Sequence, residues 1–406
     1  MTYRLAAILA LAAAARMPAQ RPVTPAQWTA FTQVFDSYAD SDRIVGASVA
    51  LLHDGRVVAH HEHGFANRAR GLPVTERTIF HYGSITKTLT AIAIMQLRDR
   101  GLLTLDDPIT RYVPELRRVH DAFGSIDSVT LRMLLSHTAG FQNPTWPYTD
   151  DKSWQPFEPT DWSQLVAMMP YQELLFKPGS RYGYSNPGFI YLARVIEQLS
   201  GDPWENYIQK NILSPLGLTR SYFGTTPYYL TADRSHNYYA RKDSATGRDT
   251  VIDNGADFDP GITIPNGGWN APLGDLEKYL AFLTSSANGD PALQARYDAV
   301  LPHRDLEEMW RPYLSVTTDA QSATAQALAK GNTLETTGIS FFVVRRGTGT
   351  FIGHTGSQAG FTAFIYLNPA TSDAIVAAFN TEKQGGSGSS RSSFSVIRDR
   401  ALDLIR

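Results

Sequence analysis

The sequence predicts an α/β (α+β) fold: one antiparallel sheet formed by both chain ends and flanked by helices, with an all-α region inserted between them. Three observations carry this. A hairpin pattern opens the chain, four strand-like runs close it, and the intervening text has helical periods.

The opening hairpin is VGASVALLHDGRVVAHHEHGFAN, residues 45–67, where apolar residues alternate around Asp54-Gly55, a strong two-residue turn signal. FHYGSITKTLTAIAIMQLRDRG, residues 80–101, contains an apolar helix expected over 84–100 and ended by Gly101. A short helix follows at 129–135. Residues 140–173, rich in Pro, Trp and Asp, read as a long excursion made aromatic by Trp146, Tyr148, Trp154, Phe157 and Trp162. Phe189, Leu192, Ile196 and Leu199, followed by Gly201, mark an amphipathic helix. Residues 222–265 read as loop. GISFFVVRRG, GTFIGHT, GFTAFIYLNP and DAIVAAFN form the closing meander, followed by the low-complexity stretch 385–393 and a terminal helix over 393–405.

Composition narrows the function. The 406 residues are 43% hydrophobic and 19% charged, which is globular composition, and the net charge of −2 gives no field to attract nucleic acid. A small-molecule or peptide substrate is expected as partner, with no stable membrane insertion; the oligomeric state is not readable. The absence of cysteine excludes disulfides, thiolate metal sites and a cysteine nucleophile. At the N-terminus Arg4, an apolar run from Leu5 to Ala15 and small residues up to Ala19 read as a cleavable signal peptide. The expected organisation is therefore a signal peptide over 1–20 and one catalytic domain over 21–406, in a secreted or periplasmic protein. Its α/β part takes in about 25–85 and 270–406, and its mostly helical region about 86–269.

Ser84 and Lys87 stand at i and i+3, about 5 to 6 Å apart on one helix face. An ordinary lysine, with pKa about 10.4, is neutral in only roughly one molecule in 2,500 at pH 7. Burial in so apolar a helix disfavours its ammonium, as does the positive end of the helix dipole. Ser-x-x-Lys alone means little, since eight lysines and 29 serines predict about 0.6 chance matches. Two further motifs accompany it. Tyr184-Ser185-Asn186 precedes Pro187 and a helix, where the phenol can relay a proton and the amide can hold a carbonyl, although asparagine there is also an ordinary N-cap. His354-Thr355-Gly356-Ser357 closes a strand, and Gly356 leaves room for a ligand to approach the backbone and add as a further strand. Alone, this triplet would read as a bulge.

In this order the three motifs resemble those of the penicillin-recognising serine hydrolases, and most closely their class C branch of β-lactamases, D-alanyl-D-alanine carboxypeptidases, D-aminopeptidases and esterases. LTLDDPITRYVPE (103–115), LRMLLSHTAGF (131–141), FKPGSRYGYSN (176–186) and LSPLGLTRS (213–221) are similar to the same family, and the likeness runs from about residue 25 to the C-terminus. The resemblance implies a β-lactamase/transpeptidase-like fold that needs no cofactor. It implies Ser84 as nucleophile, Lys87 and Tyr184 as the proton-transfer pair, Asn186 as ligand of the substrate amide, and His354 and Thr355 on the binding strand. The backbone N–H groups of Ser84 and Ser357 would hold the oxyanion. Whether a neutral Lys87 or a Tyr184 phenolate is the base stays open. The implied substrates are D-amino-acid peptides or small esters, with β-lactam hydrolysis as alternative and ligand binding without turnover as another.

One departure bears on substrate. Class C β-lactamases usually carry Lys where this chain has His354, so the cation that engages an antibiotic carboxylate is missing. Arg345 and Arg346 are the candidates to replace it, but two arginines in an edge strand read as a solvated face. AHHEHG (59–64) invites a metal at His60, His61 and His63, of which His61 and His63 share a strand face; without a matching acidic residue two positions on, no metal is expected. No Gly-x-Ser-x-Gly elbow or phosphate loop occurs, and His137 reads as a hydrogen-bonded structural histidine.

Overall fold

The computed structural model describes residues 23–141, 159–243, 246–316, 333–383 and 393–406. The expected signal segment 1–20, the aromatic residues 146–157 and the stretch 385–392 lie outside them.

The described strands are β1 (Gly46–His53), β2 (Arg56–Asn67), β3 (Leu72–Pro73), β4 (Ile79–His81), β5 (Tyr222–Phe223), β6 (Tyr238–Lys242), β7 (Asp249–Asp253), β8 (Trp269–Pro272), β9 (Leu314–Ser315), β10 (Thr333–Thr337), β11 (Phe342–Arg346), β12 (Gly349–Gln358), β13 (Phe361–Asn368), β14 (Asp373–Phe379) and β15 (Thr381–Lys383). Nine form one antiparallel sheet in the order β3-β2-β1-β14-β13-β12-β11-β10-β9. The first hairpin and the last meander meet at β1 and β14, with Ala47 opposite Phe379, so both chain ends build the sheet as expected. Asp54 and Gly55 both take positive φ (49° and 70°), the geometry of a turn whose twist suits the flanking strands.

Side chains alternate across the pleat, and the two faces bury separate cores. Val49, Leu51, Phe364, Ile375 and Phe379 pack under the N-terminal helix Pro25–Ser41 and the C-terminal helix Ser393–Leu404. Ala50, Leu52, Ile365 and Val376 face the larger core with helices Thr86–Asp99, Pro187–Ser200 and Leu273–Leu283. Thr86–Asp99 is the most enclosed, with every residue from Thr86 to Leu97 buried. The N-terminal helix was not anticipated, although Thr24 caps it reciprocally with Gln27 and Pro25 stands in its first turn, a readable start signal.

Two expectations are corrected. Residues 222–265 are not only loop: β6 and β7 pair with each other and β6 pairs in parallel with β15, while β5 joins β4 and β8. Partners so distant in sequence leave no local period to read. Arg345 and Arg346 do not lie on an edge, because β10 and β9 continue the sheet beyond β11. Arg346 is held by Asp403 at 2.9 and 3.0 Å and by Asp399 at 3.2 Å.

Candidate active site

The turn between β4 and helix Thr86–Asp99 presents Ser84. Gly83 adopts φ +49°, and the N–H groups of Thr86 and Lys87 donate to the carbonyls three residues back (3.0 and 3.1 Å), so Ser84 and Ile85 form a tight turn and the α-helix begins only at Thr86. The Thr86 hydroxyl ties this turn to β8, donating to Gly83 O (2.6 Å) and accepting from Trp269 N–H (3.0 Å).

Lys87 is wholly buried, and among the described residues its hydrogen-bond partners include no carboxylate. Its Nζ lies 3.0 Å from Ser84 Oγ, 2.8 Å from Asn186 Oδ1 and 2.8 Å from the Asn266 carbonyl oxygen. The rings of Tyr184 and Phe189 lie beside it, with centroids 5.0 and 5.6 Å away. Burial therefore pushes the pKa of Lys87 well below that of a free lysine. A neutral amine has two N–H donors and one lone pair. The amide oxygen of Asn186 and the carbonyl of Asn266 can only accept, so they take the two donors and leave the lone pair for the Ser84 hydroxyl proton.

Tyr184 hydrogen-bonds the Ser84 side chain from the other side, and burial raises its pKa, which keeps the phenol protonated. Its ring stacks on His137 at 4.2 Å and 27°. His137, 2% exposed, accepts the Ser185 N–H on Nδ1 (3.1 Å), which places its own proton on Nε2. Burial, with Lys87 and His354 nearby, holds it neutral. Asn186 stands at the N-cap position of helix Pro187–Ser200 but its side chain does not cap; Ser185 Oγ takes the Gly188 N–H (3.2 Å), which releases the Asn186 amide to Lys87.

The third motif lies on β12, which pairs with β13 in unbroken register from Ile352 to Gln358, so no bulge interrupts it. β11 leaves β12 at Gly353 opposite Phe342, and residues 354–357 beyond it line the cavity. The missing side chain of Gly356 is used by the protein itself: a Cβ there would collide with Tyr82 O and lie 3.1 Å from Ser84 N. A Cβ on Gly83 would likewise lie 2.8 Å from Ser357 N, so the two backbones run in contact. His354 is 1% exposed, donates from Nδ1 to Thr355 O (2.5 Å), and has its pKa lowered to about 3 by burial and by Lys87. Ser357 Oγ donates to Glu382 on β15 at 3.1 Å.

Thus Ser84, Lys87, Tyr184, Asn186, His354, Thr355, Gly356 and Ser357 converge, and all but the buried Lys87 line one cavity of about 940 Å³. Asn266, the contact of His137 with Tyr184, and Glu382 were missed; each reaches the site across a long stretch of sequence, by a carbonyl, a stacked ring and a carboxylate respectively, with no local signature.

A family model described as Beta-lactamase matches residues 31–395. The chain belongs to the Beta-lactamase family. The match takes in all three motifs of this family of penicillin-recognising serine hydrolases. Esterase EstB of Burkholderia gladioli is 33% identical over 196 residues, which are 46% of this chain and 48% of that protein. A Beta-lactamase of Lysobacter lactamgenus is 26% identical over 83% of both chains. The chain spans about half the length of the first curated relatives it matches. Among solved structures, the D-amino acid amidase from Ochrobactrum anthropi SV3 complexed with D-phenylalanine superposes with TM-score 0.70 over 93% of this chain and 99% of that one; at 21% identity this is a likeness of fold.

Proposed function

We propose that this chain is a serine hydrolase that works through an acyl-enzyme at Ser84, on amides or esters of D-amino acids or on small esters, after export directed by residues 1–20. The observation that carries the reading is the contact of 3.0 Å between Ser84 Oγ and a buried lysine with only neutral partners. Lys87 takes the Ser84 proton as Oγ bonds to the substrate carbonyl carbon, and the carbonyl oxygen takes the electron pair. Backbone N–H groups of Ser84 and Ser357 stabilise that oxyanion, typically worth about 3 to 4 kcal/mol per donor. The intermediate collapses, the C–N or C–O bond breaks, and Tyr184 or the Lys87 ammonium protonates the leaving group. Water then attacks the acyl-enzyme with the same groups reversed, releasing the acid and restoring Ser84. Between the two candidate bases, the lowered Lys87 and raised Tyr184 pKa values favour the amine.

Electrostatics favour this substrate class over β-lactams. His354 is neutral, Lys383 is bound to Asp42, and Arg398 is bound to Asp399 (3.3 Å), so a substrate carboxylate must compete for each described cation on the wall. Glu335 and Glu382 line the same cavity and suit an uncharged or amine-bearing acyl group. The test is intact mass of the protein mixed with a p-nitrophenyl ester, a D-aminoacyl p-nitroanilide or penicillin, with the adduct mapped by digestion. Expected are turnover of the first two through an adduct on Ser84, with a slow penicillin adduct; full turnover by Ser84→Ala would refute the mechanism.

A further inference from the structure

A second cluster of reactive side chains lies away from this cavity, on the sheet face covered by helix Leu273–Leu283. His61 and His63 share the opposite face of β2, where both bond Asp36 of the N-terminal helix at 2.8 and 2.9 Å. Their neighbours His60 and Glu62 point the other way by the alternation of the strand. His60 Nδ1 and Glu62 Oε1 lie 4.0 Å apart, and both atoms are buried without a hydrogen-bond partner among the described residues. Glu76, on the segment between β3 and β4, brings a third ligand atom, and the three lie within 4.8 Å of one another. An imidazole nitrogen and a carboxylate oxygen desolvated side by side without partners are costly, and a cation between them would answer both.

The surroundings fit a cation. Glu277 Oε1 lies 3.1 Å from His60 Nε2 and, like His60 Nδ1 and Glu62 Oε1, is buried without a hydrogen-bond partner among the described residues, so a small rotation would let this carboxylate orient the imidazole through its far nitrogen. Ser48, directly opposite Glu62 in the β1–β2 register and 1% exposed, turns an unpartnered hydroxyl to the same face. Lys278 is the nearby cation of this helix, and its ammonium is directed to Gly217 O (2.8 Å) and Asp275 (3.4 Å). None of His60, Glu62, Glu76 and Glu277 lines the Ser84 cavity.

We propose that His60, Glu62 and Glu76, with Glu277 orienting the histidine, bind one divalent zinc or manganese ion that clamps β2 and the segment before β4 to helix Leu273–Leu283. Nitrogen and oxygen ligands about 2.0 to 2.2 Å from a tetrahedral zinc stand about 3.4 Å apart, so the 4.0 Å pair needs only a small inward rotation. One imidazole among carboxylates suits zinc or manganese better than calcium or magnesium. This reverses the expectation that AHHEHG binds no metal, and it assigns the site to the face opposite the paired histidines weighed there.

The test is isothermal titration of tag-free, metal-stripped full-length protein with Zn²⁺, and separately Mn²⁺, alongside thermal melting. Expected are one ion per chain, a higher melting temperature when it is bound, loss of binding in Glu62→Gln and His60→Ala, and about 10- to 100-fold weaker binding in Glu277→Gln. His61→Gln and His63→Gln should bind like the parent, and ester hydrolysis by Glu62→Gln should be unchanged without metal. No stoichiometric binding by the parent would overturn the proposal, as would binding that follows His61 and His63. If His60→Ala fails to fold, Glu62→Gln, which keeps size and shape, decides.

Discussion

Replacing Lys87 by methionine separates catalysis from folding, because the two respond in opposite ways to the loss of the amine. Lys87 is wholly buried among neutral partners and its pKa lies well below 10.5. In the unfolded chain it titrates near that ordinary value. Between the lowered pKa and 10.5 the unfolded state therefore binds a proton that the native state does not, and stability rises with pH. The slope from this one group is about 1.4 kcal/mol per pH unit, so two points two units apart inside the window differ by about 2.7 kcal/mol. Below the lowered pKa its contribution is flat, and above 10.5 the penalty for burying it is gone. Lys87→Met removes the titration: its unfolding free energy, from urea titrations followed by tryptophan fluorescence, should lack that increment. Hydrolysis should fall by about 10²- to 10⁴-fold, the usual contribution of a general base. Wild-type rates should rise with pH through the lowered pKa and then level. Parallel stability curves for wild type and variant would refute the reasoning, since they would mean that Lys87 keeps its proton when folded.

Two further outcomes test the supports of the site. Gly356→Ala puts a methyl group against Tyr82 O and Ser84 N, so β12 must retreat from the Ser84 turn; a loss of about 1 to 3 kcal/mol in urea and a drop in kcat for ester hydrolysis are expected, and unchanged kcat would show that the contact is not needed. His137→Phe keeps a ring against Tyr184 but leaves the Ser185 N–H without its acceptor, so a cost of about 1 to 3 kcal/mol is expected, with kcat lowered more than KM is changed; a variant as stable as the parent would show that this hydrogen bond is replaceable.

What the sequence made legible was whatever is local. Ser84 and Lys87 sit one turn apart and Asp54-Gly55 turns one hairpin, so spacing proposed those contacts, while Tyr184 and Asn186, which flank one residue, were joined to Ser84 only by the family resemblance. The closing meander was readable because each of β11 to β14 pairs with its neighbour in the chain. The elements that escaped notice depend on long connections. The carbonyl of Asn266 receives Lys87 from 179 positions away, and β6 meets β15 in parallel. The reading of Gly356 erred for the same reason: the glycine was visible, but the backbone that occupies its vacant volume belongs to the Ser84 turn. The histidine run shows the limit most clearly. Alternation in β2 assigned His61 and His63 to one face, and the structure agrees, yet the desolvated pair is His60 and Glu62, whose partners Glu76 and Glu277 come from a later segment and from a helix more than two hundred residues on. A period of two tells which side chains share a face; only the packed structure tells which face leaves its polar atoms unanswered, and that is where an unrecorded ligand is best sought.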